Sequence, residues 1–266
     1  MSAAPRSLHW PEYIIEAGAL GVFMLVACGI GTVVGHPASP LHQMLPTALE
    51  RQAASGALIG LTAVALIYSP WGRRSGAHMN PAVTLTFLRL GKVAPRDAVM
   101  YIAAQFVGGV LGVLVAKDVI GMKLADPAVH YIVTKPGPWG PAVAFAAELA
   151  ITCLQMTVVL TTAASPRWSK YTGVFAGVMV ALYITIESPL SGMSMNPARS
   201  LGSAAIASDW QALWIYFTAP PLGMLLAAAA FTWRKGRADA PCAKMSHSLP
   251  CIHCEYVASR GKSAGR

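Results

Sequence analysis

Ser75-Gly76-Ala77-His78-Met79-Asn80-Pro81-Ala82 returns in the second half of the chain as Ser191-Gly192-Met193-Ser194-Met195-Asn196-Pro197-Ala198. Each Asn-Pro opens a short apolar stretch, Asn80–Leu88 and Asn196–Ala207. Asn is a favoured helix N-cap, and Pro is best tolerated at the first helical position, where its missing N–H loses nothing. A helix over Asn80–Leu88 is about 13 Å long at about 1.5 Å per residue. That is too short to cross a hydrocarbon core of about 30 Å, so both stretches read as re-entrant segments. Laid N-terminus to N-terminus, the pair covers most of the core.

Outward from these motifs lie six apolar stretches of span length, near Tyr13–Val34, Leu49–Ser69, Asp97–Ala116, Pro141–Ala163, Tyr171–Ser188 and Trp210–Trp233. The first carries Glu16 and lacks a trusted small-residue cleavage site, so it reads as a retained span and not as a signal peptide. The composition agrees. Of 266 residues, 55% are hydrophobic and 12% charged, about half the charged fraction of a soluble domain. The same apolar content excludes a disordered chain.

The formal charge of +9 invites a nucleic-acid reading, but the positions of the basic residues argue otherwise. With both termini inside, the inner segments hold Arg6, the Arg73–Arg96 group, Arg167, Lys170 and the basic residues from Arg234 onward. Only Arg51, Lys117, Lys123 and Lys135 fall outside, and Arg199 lies within a re-entrant segment. This is the positive-inside asymmetry, with attraction to anionic inner-leaflet lipid. No nucleic-acid partner is expected.

Each half reads as helix, helix, short re-entrant helix, helix, and the first helix of each carries a lone acid, Glu16 or Glu148. Three spans per half is odd, so the halves run in opposite senses through the membrane. The fold class is therefore an all-α membrane protein with six transmembrane helices and two re-entrant half-helices in an inverted 3+3 repeat. Residues 1–12 form an N-terminal segment, 13–233 the channel domain and 234–266 a tail. The repeats cover about 13–117 and 141–233. Facing half-helix N-termini each present about half a positive charge, which opposes cations, while the Asn80 and Asn196 amides donate hydrogen bonds. Unwound approaches over Gly72–Met79 and Ser188–Met195 would line the conduit with backbone carbonyls. Such a pore suits neutral hydrogen-bonding molecules and rejects ions and protons.

Two Asn-Pro-Ala motifs, each preceded by Ser-Gly at matching places of an inverted repeat, resemble the aquaporin (major intrinsic protein) family from about Tyr13 to Trp233. The resemblance implies a homotetramer with one pore per subunit, conducting water or small neutral solutes and needing no enzyme chemistry. It implies that Glu16 and Glu148 hold the re-entrant loops by accepting their backbone N–H groups. It also implies an outer selectivity filter, which ungapped counting places on Gly60, Ile184, Met193 and Arg199. Arg199 matches the family's Arg, whereas the other three depart from its common aromatic and His patterns.

Two readings of the filter stay open. In one, an apolar mouth passes glycerol, urea or ammonia. In the other, Met193 folds across the gap left by Gly60 and restricts passage to water. Ser200 in place of the Asp of glycerol-conducting relatives, a compact chain, and the Tyr216-Phe217 pair favour water. His78 is a candidate inner-pore residue, either sensing pH or bonded to loop backbone. Glu187 either meets Arg199 or cations, or is a solvated loop acid, the reading its position favours.

An inverted-repeat secondary transporter would bury coupling carboxylates beside the motifs, where this chain has none. A membrane-embedded enzyme would need a nucleophile–base pair within the spans, and none stands out. Cys28 and Cys153 read as small apolar residues within spans. The tail gathers Cys242, His247, Cys251, His253 and Cys254, a C-x-x-C with interleaved imidazoles that suits zinc, on a segment the family resemblance does not cover.

Overall fold

The computed structural model describes residues 8–248 and 250–264, with side chains to 259. Arg6, counted above among the inner charges, and the rest of residues 1–7 lie outside it. The described residues contain helices and no strand.

Six helical segments reach span length: α1 (Trp10–Gly35), α2 (Ala48–Tyr68), α4 (Pro95–Ile120), α5 (Gly140–Ala163), α6 (Thr172–Ile186, whose span begins with the helical turn at Ser169) and α8 (Leu213–Lys235). Between them lie the half-helices α3 (Pro81–Arg89) and α7 (Pro197–Ala207), and α9 (Ile252–Ala264) closes the tail. Local chemistry explains the starts. Thr47 forms a capping box with Glu50 at the head of α2, while Pro95 sits in the first turn of α4 and Pro141 in that of α5. Ile14, Leu61, Val99, Leu111, Leu154 and Leu182 are all exposed. On a soluble protein this much apolar exterior would be an association hazard; on a lipid-facing bundle it is the expected surface.

Packing repeats with the sequence. Helix α1 packs on α4 as α5 packs on α8, α3 meets α8 as α7 meets α4, and α2 crosses α6. The α2–α6 crossing is set by two glycines. A Cβ on Gly60 would lie 2.5 Å from the Gly177 carbonyl oxygen, and one on Gly177 would lie 2.7 Å from that of Gly60. Only hydrogen at both positions permits this approach.

The unwound approaches are shorter than expected. Pro70–Ser75 and Ser188–Ser191 each form a brief helix, so irregular backbone is confined to Gly76–Met79 and Gly192–Met195. There the halves match residue for residue. Gly76 and Gly192 have φ of 108° and 79°, Ala77 and Met193 55° and 49°, and Met79 and Met195 48° and 57°. Left-handed backbone at four non-glycine residues is unfavourable for L-residues, so something outside the loops must hold it.

Candidate functional site: the Asn-Pro-Ala centre and its conduit

Two buried carboxylates hold the loops. Glu16 Oε1 accepts from Ser75 Oγ (2.7 Å) and the His78 N–H (3.1 Å), and its Oε2 from the Met79 N–H (2.7 Å) and Gln105 Nε2 (2.8 Å). Glu148 Oε1 accepts from Ser191 Oγ (2.9 Å) and the Ser194 N–H (2.6 Å), and its Oε2 from the Met195 N–H (2.8 Å). Both acids are fully buried, where hydrogen bonds to charged acceptors are strongest. A second symmetric pair supports the same turns: Tyr101 Oη donates to the Ser75 carbonyl (2.8 Å) and Tyr216 Oη to that of Ser191 (2.5 Å). Tyr216 is thus a loop support. Its neighbour Phe217 is part-exposed and stacks on Phe106 at 5.8 Å, away from the conduit.

Above these supports the half-helices meet end to end. Asn80 Oδ1 caps the Ala82 N–H (2.8 Å), and Asn196 Oδ1 caps those of Ala198 (3.0 Å) and Arg199 (3.3 Å). Asn80 Nδ2 donates to the Met195 carbonyl (2.8 Å) and Asn196 Nδ2 to that of Met79 (2.7 Å). Each motif therefore pins the other. An amide carries two N–H donors, so one on each Asn remains for the conduit, whose wall includes both residues. Pro81, Pro197, Ala82 and Ala198 are buried in the first turns.

The conduit encloses about 130 Å³ and is walled mostly by apolar side chains, among them Ala63, Ile67, Val83, Val159, Val180 and Met193. Polar groups are few: His78, Asn80, Gln155, Ser194, Asn196 and Arg199. Arg199 Nη1 donates to the Ile132 carbonyl at 2.8 Å, which fixes the guanidinium. Met193 is buried and packs with Ile151, Val180 and Ile184.

Gly60 does not line this wall. Its Cβ direction is filled by α6, and the wall of α2 is made by Ala63 and Ile67. At four-residue helical spacing the next residue outward on that face is Ile59, which is half-buried. Ungapped counting failed because Gly60 precedes Asn80 by one residue more than its partner Gly177 precedes Asn196.

Two other expectations change. Glu187 is no solvated loop acid: it is 6% exposed, with neither carboxyl oxygen hydrogen-bonded and no ion pair to Arg199 among the described residues. His78 is held by backbone and tail. Its Nε2 lies 2.6 Å from the Ala243 carbonyl and its Nδ1 3.0 Å from Thr84 Oγ1. A carbonyl only accepts, so Nε2 donates. In the second half the matching residues, Ser194 and Ser200, join directly through their hydroxyls at 2.5 Å, and Thr134 extends the chain at 2.7 Å. An imidazole in place of a hydroxyl gives the first loop its reach to the tail.

In the tail, one ligand atom from each of Cys242, His247, Cys251 and Cys254 lies within 4.8 Å of all the others. His253 does not join them. It is buried, donates from Nε2 to the Ser75 carbonyl (3.3 Å) and stacks on His78 with centroids 5.8 Å apart. The Cys242 thiol, in hydrogen-bond contact with Cys251, holds the Cys251 thiol below its usual range. Ser75, Ser191, Tyr101 and Gln105 are the supporting residues sequence reading missed. The serines were visible as the first letter of each repeated octapeptide.

Residues 6–231 match the family described as Major intrinsic protein. "Probable aquaporin NIP7-1" of Arabidopsis thaliana is 34% identical over 223 residues, covering 83% of this chain and 76% of that protein. "Aquaporin NIP2-2" of Zea mays is 34% identical over 253 residues, covering 94% and 79%. The aquaglyceroporin structure from Plasmodium falciparum superposes with a TM-score of 0.67 at 19% identity, over 86% of this chain and 96% of that one, a likeness of fold. The loops, the paired motifs and these relatives agree, and the chain belongs to the major intrinsic protein family.

Proposed function

We propose that this channel conducts water passively through the Asn-Pro-Ala centre and excludes ions and protons. As a member of a family of passive channels it is not an enzyme, and conduction requires no cofactor. The observation that carries the reading is the reciprocal pinning of Asn80 and Asn196 at the meeting of two half-helix N-termini. A solute at this point meets two fixed N–H donors and the positive ends of two dipoles, in a wall of mostly apolar side chains. Water turns its oxygen to both donors, and a chain of waters so oriented cannot relay a proton. Cations meet the same dipoles and the anchored Arg199.

The outer filter in this reading is Arg199 with Met193 backed by Ile184, and Ile59 takes the place first given to Gly60. A second reading, a facilitator for glycerol, urea or ammonia, draws on one observation: the positions assigned to the filter beside Arg199 are Ile59, Ile184 and Met193, none of them aromatic. Stopped-flow light scattering on reconstituted vesicles separates them. Water flux above the lipid background with slow glycerol and urea uptake supports the first. Background water flux with rapid glycerol uptake contradicts it.

The assembly in this proposal is a homotetramer in the plasma (inner) membrane, both termini cytoplasmic, its exposed apolar helices facing lipid or neighbouring subunits. Cross-linking of the reconstituted protein to four-subunit products supports it. A monomer-only pattern contradicts it.

A further inference from the structure

The tail is folded onto the channel and not away from it. The Met245 N–H donates to the Gly76 carbonyl (3.2 Å), Ser248 Oγ to that of Arg73 (3.1 Å) and His253 Nε2 to that of Ser75 (3.3 Å), and Ala243 accepts from His78. Ala240, Ala243 and Met245 are buried in the main core, and Met245 reaches the conduit wall beside Ala77 and His78. A coil with so little regular structure needs a reason to hold this shape.

Two independent observations supply one. First, the spacings match a tetrahedral site. Cys242 Sγ lies 3.5 Å from both Cys251 Sγ and Cys254 Sγ, and His247 Nε2 lies 3.2 Å from Cys254 Sγ. Ligands about 2.3 Å from a tetrahedral zinc stand about 3.8 Å apart, so modest adjustment completes the set. Second, Lys244 is only 3% exposed, its Nζ donating to the Ser248 and Pro250 carbonyls at 3.1 Å each. Among the described residues no carboxylate pairs with it. A buried ammonium needs an anion, and Zn²⁺ with three thiolates and one imidazole carries a net negative charge beside it.

We propose that Cys242, His247, Cys251 and Cys254 bind one Zn²⁺ and that the metal clamps the tail, with Met245 at its tip, across the conduit's tail-side mouth. Binding releases the thiol protons to solvent, and removing the metal frees the coil from Gly76 and Ser75. The clamp half rests on the channel reading above; the metal half does not.

The test uses the full chain, purified under reducing conditions. Metal analysis is expected to find one zinc per chain, lost in Cys251→Ser and Cys254→Ser and retained in His253→Ala, which lies outside the ligand set. No zinc bound at micromolar metal, or a Cys242–Cys251 disulfide recovered without zinc, overturns the site. In vesicles, chelation is expected to raise water permeability several-fold in the parent chain and to leave Cys254→Ser, already open, unchanged. Met245→Ala is expected to raise flux with zinc still bound. Zinc bound and permeability indifferent to chelation overturns the clamp alone. Loss of water flux in every variant, zinc present, overturns the channel reading instead.

Discussion

At the scale of single residues, the site depends on acceptors placed where the backbone cannot satisfy itself. Glu148 takes two buried N–H groups and a serine hydroxyl. Leaving such donors unpaired costs roughly 1–3 kcal/mol each. Glu148→Ala is therefore expected to lower stability by roughly 3 kcal/mol or more, read as a drop in thermal unfolding temperature in detergent; an unchanged unfolding temperature contradicts this role. Glu187 presents the opposite case, a buried carboxyl without a donor. Glu187→Gln is expected to leave the unfolding temperature unchanged or raise it, and a marked loss would show a partner for the carboxylate. The two acids sit in similar apolar sequence, yet only Glu148 was legible, because the repeat supplied Glu16 as its counterpart. The fate of Glu187 depended on which helices closed over it, which local sequence does not encode.

At the scale of elements, the half-helices could be read from sequence because caps are local: Asn-Pro sets both start and direction. The conduit face of α2 could not, because it depends on how α2 crosses α6. Gly60→Ala puts a Cβ against the Gly177 carbonyl and is expected to destabilise by about 1–3 kcal/mol, as overpacking does. Ile59→Trp is expected instead to reduce flux while the unfolding temperature holds. If Gly60→Ala reduces flux and keeps full stability, the assignment of these two residues is reversed. A second element-level latch joins the end of α7 to the loop between α4 and α5, where Asp209 pairs with Lys135 and, at 2.8 Å, with His130. The Lys135 hydrogen bond, with help from His130, pulls the Asp209 pKa down to about 2. The folded state thus favours the carboxylate, so its contribution is complete above the ordinary value of 3.8 and is lost as pH falls toward about 2. Acid unfolding scans of parent and Asp209→Asn should differ above that window and converge below it; curves that stay parallel throughout contradict the latch.

At the scale of the whole molecule, the inverted repeat explains most of what the sequence made visible. Two copies of each device, Glu16 with Glu148, Tyr101 with Tyr216 and Asn80 with Asn196, meet at one centre. The tail breaks that symmetry. Its bonds to Ser75, Gly76 and His78 run from backbone to distant loop and leave no periodic trace, so sequence spacing marked a cysteine–histidine cluster without showing which imidazole faces the channel. In the proposed function the paired Asn amides pass water and stop protons. The most direct test is water flux and proton flux on the same zinc-depleted vesicles, by light scattering and an enclosed pH dye under an imposed pH gradient. Water permeability well above the lipid background with proton flux at background is the expected result. Proton flux rising in step with water flux would show that the Asn pair does not interrupt the water chain.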